Sequence, residues 1–420
     1  MQRPTVSVVL PFHGSTDQAA RAVQALLDID RLPGDELIVV DNSGTGAVAP
    51  ADGVRVVVAH DEQSAYYARN VGAEHAANEW LLFVDADCRP RADILERYLS
   101  VEPGEEIGAV IGEVVGVAEQ DQLTARYARS RGHLGQRVHW EWPFRPWGVT
   151  ANLLVRRQAW GSVGGFHEGI RSAGDTEFSW RLQDAGWKLA YRPEAEVEHW
   201  HRERISRLVR QGARYGAGRA WVVRRYPRSV PEPRLARPLA RSALGIAVWT
   251  LTGRFERAAF KALDAAFVTS EWFAYRLSNT PPVFRRPQRG ATVGLVAGAF
   301  PAAGDPSVAD VEEERPACIE AASRPVRVDR AAARTLPIAW VEDDGTLRRL
   351  AAVAKLAARR PLPVARYLTR RRRCGAPLLR DVSTRALRMA DAGVREVRPL
   401  APEERRDAEA IATLLGLPSP

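Results

Sequence analysis

Trp80-Leu81-Leu82-Phe83-Val84-Asp85-Ala86-Asp87 is an apolar run that stops on two carboxylates in alternate positions. Five consecutive large hydrophobic residues, too few for a helix, read as a buried strand. The two aspartates beyond it do not serve packing, because an ionised side chain that loses water without a partner costs several kcal/mol. Their chemistry calls for a cation. Hard divalent ions such as Mg²⁺ or Mn²⁺ take oxygen ligands and bridge to phosphate oxygens, so the spacing suggests a site for a diphosphate-bearing substrate, although Asp-x-Asp also occurs as a plain turn pair.

Working outward, the same alternation of strand and helix signals fills the first half of the chain. Val6-Ser7-Val8-Val9-Leu10 predicts a buried strand ended by Pro11, and Ser15 with Gln18 three residues later predicts a capping-box helix start carrying Val23, Leu26 and Leu27. Leu37-Ile38-Val39-Val40 leads into Asp41-Asn42-Ser43-Gly44, residues 54–58 predict a third strand, and residues 63–78 a helix before the 80–84 strand. This is the pattern of a doubly wound, mostly parallel α/β sheet. In such sheets ligands bind beyond the carboxyl ends of the strands, where Pro11, Asp41 and Asp85 fall.

Over residues 5–202 the chain resembles the family 2 glycosyltransferases of the GT-A fold. The matching pieces stand in the family's order: residues 6–11, Val39-Val40-Asp41-Asn42-Ser43, Ala68-Arg69-Asn70-Val71-Gly72 and Phe83-Val84-Asp85-Ala86-Asp87-Cys88-Arg89-Pro90. Residues 150–157, Val163-Gly164-Gly165-Phe166, residues 174–182 and Ala195-Glu196-Val197-Glu198-His199 follow. Each fragment is common, whereas the ordered set is specific.

The resemblance implies an inverting transfer of a sugar from a nucleoside-diphosphate sugar donor to a hydroxyl acceptor. Asp41 matches the carboxylate that contacts the base or ribose, with an Asx-turn as its plain structural alternative. Pro11 marks the same nucleotide end. Arg69 matches the residue facing the nucleotide and its phosphates, a task suited to a forked guanidinium. Asp87 matches a direct metal ligand, Asp85 a ribose-side or water-mediated partner, and His199 the distant histidine ligand, with His201 competing for that place. An imidazole ligand favours Mn²⁺ over Mg²⁺. Asp175 takes the place of the general base and is equally a candidate helix cap, where the helix terminus would lower its basicity. Gly174 departs from the family, which usually has an acid there. Trp180 and Trp187 are candidates for the acceptor groove, or for the core.

That departure keeps a second reading open, a sugar-nucleotide-binding pseudoenzyme or scaffold in a glycan assembly complex. A nucleotidyltransferase is a third, although Pro11-Phe12-His13-Gly14 offers one glycine where such enzymes have a glycine-rich phosphate loop.

Length and composition bound the rest. A chain of 420 residues exceeds one core, and the predicted organisation is a catalytic domain over 1–202, a helical extension over 203–280 and a smaller Rossmann-like α/β domain over 281–420. The extension is read as three helices, over 204–225, 235–252 and 255–278. They are rich in arginine and carry Trp221, Trp249 and Trp272. Such helices pack on the catalytic domain or lie at a membrane surface, and the second case would make a lipid-linked acceptor natural. No stretch approaches the ~20 apolar residues a bilayer needs. The amino terminus enters a strand within five residues, so no signal peptide is expected.

Cys88, Cys318 and Cys374 are too few and too scattered for a disulfide framework and fit a reducing cytoplasm. Lysine occurs only at 188, 261 and 355, and the arginine, alanine, glycine and proline bias suggests a GC-rich bacterial source. Of the net charge of +9, residues 281–420 carry most, with 25 Lys plus Arg against 17 Asp plus Glu. An anionic membrane face or an acidic partner suits that balance. Arg370–Arg373 has no interleaved aromatics, so nucleic acid is not an expected partner. A basic linker over Pro281-Pro282 and Arg285-Arg286-Pro287 introduces the tail. Val293-Gly294-Leu295-Val296, Phe300-Pro301 and residues 414–418 faintly resemble the amino-terminal lobe of family 4, GT-B glycosyltransferases.

Overall fold

The computed structural model describes residues 3–279, 291, 293–374 and 377–420, which divide into two units, Met1–Tyr275 and Arg276–Pro420. The linker residues Pro281-Pro282 and Arg285-Arg286-Pro287 and the side chains of Arg370–Arg373 lie outside the described residues.

Eight strands build the first unit: β1 Val6–Phe12, β2 Glu36–Asp41, β3 Arg55–Val58, β4 Trp80–Val84, β5 Cys88–Pro90, β6 Ile107–Gly116, β7 Asn152–Arg156 and β8 Lys188–His199. They form one sheet in the order β3-β2-β1-β4-β7-β6-β8-β5. β3, β2, β1 and β4 run parallel, as their continuous apolar sequences predict, and all twelve residues of β1 and β4 are buried. Alternate residues feed two cores. Val8, Leu10, Trp80 and Leu82 enter one, and Val9, Leu81 and Phe83 the other. β7 then inserts antiparallel between β4 and β6, which makes the far half of the sheet mixed.

Local signals set the helices. α1, Thr16–Leu27, starts where expected, and the Ser15 N–H donates to Gln18 Oε1 at 3.0 Å. α2 spans Ala65–His75, shorter than predicted, because Ser64 caps it and the backbone turns extended at Ala76. The remaining helices before the extension are α3 Ile94–Leu99, α4 Leu123–Ser130, α5 Arg137–Trp140, α6 Arg157–Ser162 and α7 Gly174–Asp184. Three long helices follow, α8 Ile205–Arg225, α9 Ala236–Leu251 and α10 Phe255–Ala274. α8 buries Trp221 and Val222 in the catalytic core, and α10 packs between α8 and α9. α9 buries only Ser242.

The second unit is a four-stranded parallel sheet in the order β11-β10-β9-β12, from β9 Val293–Ala299, β10 Cys318–Ser323, β11 Ile338–Trp340 and β12 Glu396–Pro399. β9 runs as far as Ala299, where it pairs with Ser323 of β10. α11 Ser307–Glu314, α12 Arg330–Thr335, α13 Thr346–Arg359, α14 Pro361–Cys374, α15 Leu379–Asp391 and α16 Arg405–Leu415 complete it. The buried Glu320 carboxylate of β10 and Asp344 both bind Arg388 of α15, the latter at 2.9 Å. Cys88 and Cys318 are free and buried.

Candidate active site

Sheet register brings the distant histidine to the acidic pair. β5 begins immediately after Asp87 and pairs antiparallel with β8, with Cys88 opposite His199. The Trp200 N–H donates to the Asp87 carbonyl at 2.9 Å, and His199 Nε2 lies 3.4 Å from Asp87 Oδ1. Arg202, just past β8, reaches Asp87 Oδ2 at 3.0 Å. Burial pushes the Asp87 carboxyl up, but His199 and Arg202 together outweigh it and hold the group well below the ordinary carboxylate range.

Asp85 belongs to a second chain of contacts. Its Oδ1 accepts from Arg69 of α2, whose guanidinium lies over the Tyr66 ring at 5.4 Å from its centroid. The Tyr66 hydroxyl in turn accepts the Gly174 N–H at 2.9 Å and faces Asp175 Oδ1 at 3.5 Å. α2 thus links the acidic pair to the start of α7. Asn70, one residue on, fixes the intervening segment: its amide donates to the Phe166 carbonyl at 2.8 Å and accepts the Phe166 N–H at 2.8 Å.

Asp175 sits in the first turn of α7 and is not its cap; that position falls to Ala173, at φ 67. Its Oδ1 accepts the adjacent Thr176 N–H at 3.0 Å. The expectation that the helix terminus lowers its proton affinity is corrected here. Burial raises the Asp175 carboxyl above its ordinary value, outweighing Arg69 and the Thr176 N–H.

Asp41 ends β2 opposite Phe12, one residue after the Pro11–Val40 pair. It is 2 % exposed, and its oxygens accept the N–H groups of Ser43 at 2.8 Å and Val48 at 3.3 Å. Burial raises this carboxyl, while the Ser43 hydroxyl and the loop N–H groups bring it below its ordinary value. The Asx-turn is therefore formed. Trp180 is fully buried in the core with its Nε1–H on the Arg145 carbonyl at 3.1 Å, whereas Trp187 is half-buried and donates to Ser162.

Tyr66, Asn70 and Arg202 were not assigned to the site from sequence, and His201 was named only as a competitor for the place of His199. Tyr66 and Asn70 flank Arg69 on one helix, a signal that was available; the reach of Arg202 depends on how β8 ends. His201 is buried, with Nδ1 3.3 Å from His199 Nδ1. Burial is the main cause that pushes its imidazole down to about 3.

Among the described residues no group of three or more His, Cys, Asp or Glu side chains is gathered tightly enough to hold a metal. Two are. Donors held ~2.0–2.2 Å from one ion lie about 3 Å apart or slightly more, which the 3.4 Å His199–Asp87 separation approaches. Asp87 and His199 are the residues that would hold a divalent cation there, and it would supply charge to a bound phosphate. Asp85 is turned to Arg69 and stands outside the pair.

Residues 7–173 match the model of the glycosyl transferase family 2. They form a family 2 glycosyltransferase domain. The chain is 30% identical over 262 residues to the pre-mycofactocin glycosyltransferase of Mycobacterium tuberculosis, covering 59% of this chain but only 52% of that protein. It is 27% identical over 262 residues to the glycosyltransferase AglE of Haloferax volcanii, covering 60% and 81%. A solved mannosyltransferase, PcManGT from Pyrobaculum calidifontis in complex with GDP-Man and Mn²⁺, aligns at 16% identity over 64% of this chain and 88% of that one, with a TM-score of 0.44. Within the glycosyltransferase domain the matched segment takes in Asp41, Arg69, Asp85 and Asp87; Asp175 and His199 lie beyond its end.

Proposed function

We propose that this chain is a divalent-metal-dependent, inverting glycosyltransferase that moves a sugar from a nucleoside-diphosphate sugar to a hydroxyl acceptor. One observation carries the reading. A two-donor cation edge, Asp87 and His199, lies at the same strand ends as an unbroken chain of contacts, Asp85–Arg69–Tyr66–Asp175, that leads to a carboxyl of raised proton affinity.

In a single in-line displacement the acceptor oxygen forms its bond to the anomeric carbon as the bond to the diphosphate oxygen breaks. The acceptor proton goes to Asp175, whose burial makes it a better base than an exposed aspartate; general-base help of this kind typically gives ~10²–10⁴-fold. Arg69, bound to Asp85, would offer its charge to the departing diphosphate. A cation, Mn²⁺ by preference, would neutralise part of that same charge when bound by Asp87 and His199. Asp41 contributes through the loop it folds, residues 43–48, at the nucleotide end beside Pro11.

A thermal-shift panel of nucleoside diphosphates with and without Mn²⁺ tests the reading, because a ligand that binds only the folded state raises its melting point. The expected result is a Mn²⁺-dependent rise for one nucleotide that disappears in Asp87→Ala, with donor hydrolysis lost in the same variant. Retained nucleotide binding without hydrolysis in the native chain would favour the scaffold reading.

A peripheral membrane position and a lipid-linked hydroxyl acceptor have separate support. α9 contains no acidic residue, exposes Leu244 and Leu251 at 68% and 87% and presents Arg237 and Arg241, and Phe255 beyond it is exposed as well. An apolar face rimmed by arginine suits an anionic bilayer surface. The inner, cytoplasmic face of a cell membrane is the location that goes with it. No helix among the described residues is long and apolar enough to cross a membrane.

A further inference from the structure

We propose that His201 is the positioning residue for His199: it binds the back nitrogen of that ring and so aims Nε2 at Asp87 and the cation. The proposal rests on the metal-dependent reading above.

An imidazole has two polar atoms, and both of those on His199 are accounted for. Nε2 faces Asp87 at 3.4 Å and Nδ1 faces His201 Nδ1 at 3.3 Å, with both rings buried. A buried ring held at one nitrogen alone can swing about its Cβ bond. One held at both cannot. Partners of this kind behind a ligating histidine select its tautomer and orientation, and their loss typically costs metal affinity.

His201 is itself built in. Its N–H donates to Gln120 Oε1 at 2.7 Å and its carbonyl accepts from Gln120 Nε2 at 3.2 Å, so one buried amide clamps the backbone on both sides. Gly116, on the neighbouring strand β6, leaves room for the ring; a Cβ there would lie 2.4 Å from His201 Nε2. That Nε2 has no hydrogen-bond partner among the described residues. The polar contact of the ring is therefore made through Nδ1 alone, and Nε2 is directed at the Gly116 gap, not at the acidic pair. This geometry separates the two histidines of the His199-Trp200-His201 run, which the sequence left in competition: His199 is the ligand and His201 its support.

Of the two facing nitrogens one must carry the hydrogen. When His199 Nε2 presents a lone pair to a cation, its proton resides on Nδ1 and His201 accepts. An asparagine amide placed near Nδ1 can also accept. A glutamine amide, one bond longer, falls near Nε2 and cannot, although its volume is close to that of the ring.

The test is Mn²⁺ binding to the full chain, with GDP and separately with UDP, read from the electron paramagnetic resonance of free Mn²⁺, with the melting midpoint recorded for each variant. Native protein and His201→Asn should bind Mn²⁺ comparably. His201→Phe and His201→Gln should bind ~10- to 100-fold more weakly, and His199→Ala should lose binding. Equal loss in Asn and Gln variants overturns the proposal, since it would make His201 a direct ligand or a mere packing element. Unchanged binding in His201→Phe, with His199→Ala inactive in binding, also overturns it while leaving the metal-dependent reading intact. If native protein binds no Mn²⁺ with either nucleotide, the parent reading fails and this proposal with it.

Discussion

The phenolic oxygen of Tyr66 accepts the N–H of Gly174 at 2.9 Å, joining residues 108 positions apart. Its ring fills the space a side chain at 174 would need, with the nearest ring atom 2.7 Å from where a Cβ would stand. Glycine at 174 thus has a steric reason, because any side chain there would meet the Tyr66 ring.

Gly174→Ala is accordingly expected to destabilise the fold by about 1–3 kcal/mol, the usual cost of overpacking a filled core. Denaturant unfolding measures it. The same substitution in a Tyr66→Ser background should cost clearly less, because the clash partner is gone; additive costs would mean the two sites do not meet.

Asp175 predicts a trade between stability and activity. Its folded-state proton affinity is raised by burial, so ionisation opposes folding once the pH exceeds the unfolded value near 3.8 and the penalty grows until the folded group itself has titrated. Asp175→Asn should therefore melt higher than native protein at pH 7, and the gain should vanish below about pH 3.8. Sugar transfer should fall ~10²–10⁴-fold in the same variant. A melting difference that is the same at both pH values would contradict this account.

Asn70→Ala removes three buried bonds, two to the Phe166 backbone and one to Glu168 Oε1 at 2.9 Å. Stranding those buried partners costs on the order of 3 kcal/mol. Because the segment they hold leads to Asp175, activity at a temperature where the variant remains folded should fall as well. Circular dichroism before each assay separates the two effects.

In the second unit, Arg388→Met leaves Glu320 buried without its cation and Asp344 with Arg348 at 3.4 Å, the two carboxylates being at 0% and 1% side-chain exposure. Breaking a buried ion network in this way costs ~3–5 kcal/mol. Hydrogen exchange of the β9–β12 sheet, with that of β1–β4 as internal reference, reads the loss where it belongs. Equal protection in the two sheets would refute the assignment.

Membrane contact through α9 predicts that the protein sediments with phosphatidylglycerol vesicles and not with phosphatidylcholine vesicles. Leu244→Asp with Leu251→Asp should abolish sedimentation without lowering the melting point, because both side chains are exposed. Undiminished binding in the double variant would exclude α9 as the contact.

Much of this was legible in the chain because it rests on local physics. β1, β2 and β4 announce themselves as unbroken apolar runs, α1 by Ser15 and Gln18, and α8 to α10 by periodicity interrupted at prolines. Asp85 and Asp87 stood out because carboxylates at the end of a buried strand need a reason. The antiparallel insertion of β7 was not legible: Asn-Leu-Leu-Val-Arg reads the same whichever way it pairs. Nor was the fate of Trp180, since an aromatic side chain at helical spacing suits a groove and a core equally.

The sequence by itself determined the strand and helix alternation, the family domain and the residue types that could do chemistry, because hydrophobic period, caps and ordered motifs act over a few residues. Only the tertiary structure decided which of those residues meet. The Cys88–His199 register sets the imidazole against Asp87, Tyr66 spans 108 positions to Gly174, and the Nδ1 atoms of His199 and His201 face each other. Such encounters depend on strand order and ring orientation, which arise from packing the whole sheet and leave no mark within any one segment.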